Sequence, residues 1–183
     1  FSGKEARTAD LAQAAARHVS GTKATSCTKE LTADWKQGLF RVDTERSQGF
    51  TGFARKQRQS FANLEATVEN EYALVVLSAL DKQPVAESPR LLLTAVGNAV
   101  NSGMTVFAPG GRIREPGTLP VLVEPVVGEV RVKLVGNLAK LEVWALDPSG
   151  QRVTRVPVVR KGATISFKLA AKYRAQHYEI VRG

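Results

Sequence analysis

Residues 72–80 read Tyr-Ala-Leu-Val-Val-Leu-Ser-Ala-Leu, with apolar side chains at both parities. A strand with one wet face alternates polar and apolar positions, so this run predicts a strand buried on both faces. Arg90–Val96 predicts a second of the same kind. Leu39–Thr44 is different. Leu39, Arg41 and Asp43 fall on one parity and Phe40, Val42 and Thr44 on the other, predicting a strand with one apolar and one charged face. Val121–Val123, Gly128–Val135, Lys140–Leu146, Thr164–Leu169 and Tyr178–Val181 predict further strands, with a short helical turn at Ala170–Ala175. Asp147-Pro148-Ser149-Gly150 has turn chemistry: Asp opens, Pro fixes the next φ, Gly closes. It should join Leu141–Leu146 to Arg152–Val156 as a hairpin.

Ahead of the strands, Gly3–Val19 is alanine-rich, with Leu11, Ala15 and His18 or Val19 at helical spacing. Thr8 or Asp10 caps this helix and Gly21 ends it. Strand-helix alternation is missing, which argues against a Rossmann or TIM-barrel core. The expected fold class is therefore all-β: an antiparallel β-sandwich with one short N-terminal helix. Residues 1–24 form the helix and linker, and residues 25–183 the sandwich. Its core is expected from Leu74, Val76, Leu92, Val132, Val143, Trp144, Phe167 and Ile180. Phe107–Pro120, rich in Gly and Pro, is expected as a long rim loop or lid.

Composition narrows the chemistry. At 183 residues with 43% hydrophobic content the chain can bury a full core. It has no apolar run long enough for a membrane span. The single cysteine, Cys27, rules out an internal disulfide and reads as a small strand filler. With only two histidines, His18 and His177, the chain argues against a multi-histidine metal site. No EF-hand pattern, P-loop or G-x-S-x-G elbow occurs, so no cofactor, no metal and no catalytic residue are assigned. The net charge of +9 suits an anionic partner. Its cations are dispersed, with local excess only at Arg55, Lys56, Arg58 and at Arg152, Arg155, Arg160, Lys161, so nucleic acid is disfavoured.

Three constellations remain. Asp43 and Glu45, two apart on one strand, have a spacing compatible with a glycosidase pair, and equally with a solvated strand face. Gly110-Gly111-Arg112 can cradle an anion, or simply turn. A sugar platform would centre on Trp35, in an exposed turn, with Arg112 and Arg114 from the rim loop; Phe50, Phe53 and Tyr173 are possible helpers.

The order of motifs carries a resemblance. A Trp35/Gly38 turn leads into V-D-T-x-R-x-Q-G at Val42, Asp43, Thr44, Arg46, Gln48 and Gly49. Next comes S-x-R-x-L-L-T-x-x-G-x-A-x-N-x-G, from Ser88 through Arg90, Leu92, Leu93, Thr94, Gly97, Ala99 and Asn101 to Gly103. A-L-D-x-x-G-x-R follows at Ala145, Leu146, Asp147, Gly150 and Arg152, and Tyr178-Glu179-Ile180 closes the series. Over Thr25–Val181 this resembles the C-terminal β-sandwich region of large bacterial glycoside hydrolases with a cellulase-like barrel. The resemblance implies a non-catalytic accessory domain that supports the barrel or contacts polysaccharide, in a secreted or periplasmic enzyme whose catalytic carboxylates lie on the barrel. The partners implied are that barrel domain of the parent chain and a polysaccharide. A stand-alone module for an acidic glycan and a basic nucleic-acid-interacting protein are the alternatives. Asp43, Arg46, Gln48, Arg90 and Asn101 are then structural polar residues. The basic segment Ala54–Ser60 and Pro89 depart from the family pattern, and the former offers an anion-binding edge.

Overall fold

A computed structural model describes residues 13–107 and 111–182. In chain order its strands are β1 (Val19–Ser20), β2 (Lys23–Thr25), β3 (Leu31–Asp34), β4 (Leu39–Asp43), β5 (Ser47–Phe53), β6 (Gln59–Ser60), β7 (Leu64–Val68), β8 (Tyr72–Ala79) and β9 (Arg90–Val96). They continue with β10 (Ala99–Ser102), β11 (Thr105–Phe107), β12 (Arg112–Glu115), β13 (Thr118–Val123), β14 (Gly128–Lys133) and β15 (Glu142–Leu146). The last are β16 (Arg152–Val156), β17 (Val159–Lys161), β18 (Thr164–Leu169) and β19 (His177–Val181), with a 3-10 turn at Ala171–Tyr173.

Two open antiparallel sheets share one core, so the fold is all-β and sandwich-like. The large sheet has ten strands in the order β1-β2-β3-β4-β5-β8-β9-β19-β15-β16; the small one has five, β17-β18-β14-β7-β6. Phe50, Val75, Leu77, Leu91, Leu93, Val143, Tyr178 and Ile180 from the large sheet meet Leu64, Val68, Val130, Val132, Ile165 and Phe167 from the small one. Each fully buried side chain of this kind contributes roughly 1.5–3 kcal/mol of transfer free energy.

The β15–β16 hairpin forms around the predicted turn. The Gly150 N–H donates to the Asp147 carbonyl (3.0 Å), and the Asp147 carboxylate accepts the Ser149 N–H (2.8 Å). Gly52 is required for another reason. Its φ is +134°, and a Cβ there would lie 2.0 Å from the Gly38 carbonyl, at the end of the turn that leads into β4.

Several expectations change. Of the N-terminal helix the described residues contain a helical turn at 13–16; Thr8, Asp10 and Leu11 lie outside the described residues. Val19 is not helical: β1 pairs with β2 around Gly21 (φ +58°), so residues 19–24 already belong to the large sheet. Cys27 fills no strand and is exposed in the β2–β3 connection. Phe107–Pro120 is not a loop in its described part. It belongs to a nested β-arm, with β10 paired to β13 and β11 to β12. Gly103 and Gly117 (φ +74° and +70°) lie at the junction between the two ladders, and a two-stranded ribbon has free edges where proline removes no ladder bond.

The core list is half corrected. Val132, Val143, Phe167 and Ile180 are buried as expected, whereas Leu74, Val76, Leu92 and Trp144 are half-buried on the opposite face of the large sheet. Both parities of β8 are apolar, so periodicity could not tell inside from outside. Ala73, Val75 and Leu77 point inward.

Candidate functional site

β4 shows an inversion that sets the character of the large sheet's outer face. Arg41 and Asp43 share the inward parity of Leu39 and pair in register with buried Phe50 and Gln48. There they bridge the two sheets. The Arg41 guanidinium donates to Gln59 Oε1 and to the Ser60 carbonyl, both at 2.5 Å, and lies 4.3 Å from the Phe61 ring centre. Asp43 Oδ1 accepts the Ala62 N–H at 3.3 Å. The apolar parity, Phe40 and Val42, therefore faces away from the core; Phe40 is 43% exposed.

Register extends that parity across the sheet. Phe40, Thr51, Leu74 and Val96 form one cross-strand row, and Val42, Gly49, Val76, Thr94, His177 and Leu146 the next. Phe53 opposes Tyr72, their rings edge-to-face at 5.5 Å. The β4–β5–β8 half of the face is thus an apolar and aromatic surface that nothing in the described chain covers. The β19–β15–β16 half is polar. Glu179, only 3% exposed, receives Arg90 Nε on one oxygen and Arg152 Nε on the other, each at 2.5 Å. Arg152 lies 5.7 Å from the Trp144 ring centre. The Trp144 indole N–H donates to Glu142 (3.0 Å), and Glu142 also pairs with Arg155 (2.8 Å). Burial alone raises the Glu179 carboxyl, but hydrogen bonds and charge from Arg152 and Arg90 outweigh it and hold the pKa below the ordinary value.

The remaining motif residues are held in backbone-fixing contacts. Thr44 Oγ1 accepts the Ser47 N–H (2.9 Å), and the Arg46 guanidinium donates to the Asp81 carbonyl. Gln48 is buried and has partners for both ends of its amide: Nε2 donates to the Thr44 carbonyl (3.2 Å) and Oε1 accepts the Asn63 N–H (2.7 Å). Asp81 accepts from Ser88, and Asn101 donates to the Pro116 carbonyl across the arm. Glu45 does not share a strand with Asp43. β4 ends at Asp43, and Glu45 lies in the turn, so no carboxylate pair forms on that strand.

The residues expected for sugar contact are spread out. Trp35 is 57% exposed in the β3–β4 turn, which Asp34 caps by accepting the Lys36 and Gln37 N–H groups at 3.1 Å. Arg112 and Arg114 are exposed on the β11–β12 ribbon, Arg114 lying 5.7 Å from the Phe107 ring centre. β5 and β8 stand between β4 and the strand, β9, from which the arm departs. Phe50 is not a sugar contact: it is 1% exposed. Tyr173 packs against the core. Gly110 of the anion-cradle motif lies outside the described residues. In the basic segment, Lys56 pairs with Glu69 (3.9 Å) and Arg58 with Glu65.

Among the described residues the candidate catalytic groups are held apart or engaged elsewhere. His177 Nδ1 lies 3.1 Å from Thr94 Oγ1, a base beside a hydroxyl, but neighbouring carboxylates are engaged elsewhere: Glu179 by two arginines, Asp147 by its own turn. Among the described residues no group of three or more His, Cys, Asp or Glu could hold a metal ion. Nor is any helix among them long and apolar enough to cross a membrane. Comparison with family models, curated proteins and solved structures finds no match to this chain.

Proposed function

We propose that this chain is a non-catalytic β-sandwich accessory domain of a carbohydrate-active enzyme, and that its large sheet packs against the catalytic barrel of the parent protein. The observation that carries the docking element is the outward apolar half-face of Phe40, Val42, Phe53, Tyr72, Leu74 and Val76. A strand apolar on both parities belongs between two layers, and the described chain supplies only one. The glycoside-hydrolase element rests on the order of the V-D-T-x-R-x-Q-G, S-x-R-x-L-L-T, A-L-D and Y-E-I motifs. Their polar residues fix turns and sheet edges, a role that needs no substrate and suits an accessory domain. A second reading, direct contact with an acidic glycan, is favoured by the guanidinium and indole groups on the other half of the same face.

The test is association. The chain should show no turnover on a polysaccharide panel. It should bind a separately produced barrel domain from the same coding sequence, measured by calorimetry, and Phe40→Lys should weaken that binding. A coding sequence without a barrel, or glycosidase activity of the chain alone lost in Asp43→Asn, overturns the reading.

A further inference from the structure

We infer that the polar half of the large sheet's outer face, Arg90, Arg152 and Arg155 around Trp144, is a binding strip for a carboxylate-bearing polysaccharide, a polyuronate. This deepens the proposed function and rests on its carbohydrate element, but not on the docking of the barrel.

The geometry is that of a prepared anion site. Glu179 is nearly inaccessible, and each of its oxygens takes the Nε–H of a different arginine. One buried carboxylate thus fixes two guanidiniums side by side and uses only their inner edge. Both arginine side chains stay about half exposed, at 61% and 45%. No partner is found among the described residues for their η nitrogens. Two guanidiniums against one carboxylate leave a local positive charge, and each outward η edge matches the planar, two-oxygen geometry of another carboxylate. Beside them, Trp144 is oriented by its N–H bond to Glu142 and leaves part of its indole exposed. An indole flanked by guanidiniums suits a sugar ring that carries an acid: the ring stacks while the carboxylate is forked.

The strip runs across β9, β19, β15 and β16, three strand spacings or about 14 Å. It is an open sheet face, suited to an extended polymer. A nucleic acid would call for a cationic stripe following its phosphates. Here two carboxylates, Glu179 and Glu142, are interleaved with the three arginines.

The chain has two tryptophans, which makes the test direct. In Trp35→Phe, Trp144 is the only indole; in Trp144→Phe, Trp35 is. Titration with an oligogalacturonate should shift and saturate the fluorescence of Trp35→Phe and leave that of Trp144→Phe unchanged. In affinity electrophoresis on polygalacturonate, the double change Arg90→Lys with Arg152→Lys keeps the charge on Glu179 but removes the η forks. It should weaken retention about tenfold with melting little changed, while Arg112→Ala with Arg114→Ala should retain wild-type binding. A saturating signal from Trp35 instead of Trp144, wild-type affinity in the double lysine variant, no binding to polygalacturonate, or equal binding to dextran sulfate or single-stranded DNA overturns the inference. Barrel association remains a separate readout, because Phe40 lies on the other half of the face.

Discussion

The two sheets share a core and an alternating pattern, yet their outer faces have opposite chemistry. On the small sheet the outward residues are Glu65, Thr67, Glu129, Arg131, Lys133, Ser166 and Lys168, with Arg131 pairing to both Glu65 and Glu129. That is a surface built for water. On the large sheet the same parity carries Phe40, Val42, Leu74, Val76 and Leu92, followed by a carboxylate held out of water by two arginines. Burial of the inner faces explains why both sheets form; it does not explain apolar residues on a second face. The difference teaches that the large sheet presents apolar residues where the small sheet is polar, and that its charged end is built around a buried carboxylate, whereas the small sheet's ion pairs stay open to water.

The largest predicted effect separates the two sets of charges. Removing both partners of Glu179 in Arg90→Ala with Arg152→Ala leaves a buried carboxylate unpaired and should cost about 3–5 kcal/mol in urea denaturation. Arg131→Ala on the small sheet is the matched control. If the two lose equal stability, the contrast between the faces fails.

The same pair sets a pH dependence. The Glu179 pKa is lower in the folded chain than its ordinary value. Its contribution is therefore fully present above the unfolded value, about pH 4.3, and is lost as pH falls through the lower folded value. Urea midpoints at pH 7 and pH 3 should differ more for the native chain than for Glu179→Gln.

Next in size is the inward parity. Leu77, fully buried on β8, should lose about 2–5 kcal/mol on change to alanine. Its outward neighbour Val76 should lose under about 1.5 kcal/mol as Val76→Ala in the isolated chain, and more in complex with the proposed barrel partner. Equal losses in the isolated chain would mean that the outward face is already covered.

A smaller effect on the free protein accompanies docking. Phe40→Lys should weaken association with the proposed barrel about thirtyfold, near 2 kcal/mol, as a hot-spot residue does. The smallest effect is on the small sheet, where Arg131→Ala and Lys133→Ala should each stay within about 0.5 kcal/mol in stability and leave association unchanged.

Much of this was legible in the residues. Alternation located β4, continuous apolar runs located β8 and β9, β-rich stretches marked β15, β18 and β19, and Asp147–Gly150 announced its hairpin, because turn chemistry and residue patterning are local properties. The missed strands had weak local signals. β5 is rich in glycine and polar residues, and becomes a strand because it lies between β4 and β8. The arm's punctuating glycines and prolines masked its pairing, and the strip around Trp144 was missed because its members lie in three segments of the chain. Arg90, Arg152 and Glu179 meet only through strand order. The signal available was indirect: a glutamate inside the apolar closing strand, which needs a partner if buried.

The sequence by itself determined that the chain forms β-strands, which of them are apolar on both parities, and where the Asp147 hairpin turns, since each depends on neighbouring residues alone. Only the tertiary structure decided which parity faces the core, because an apolar-apolar strand fits either way until a second sheet occupies one side. It also decided that Glu179 meets two arginines from distant segments, because sheet order is fixed by the packing of the whole chain and by no short stretch of it.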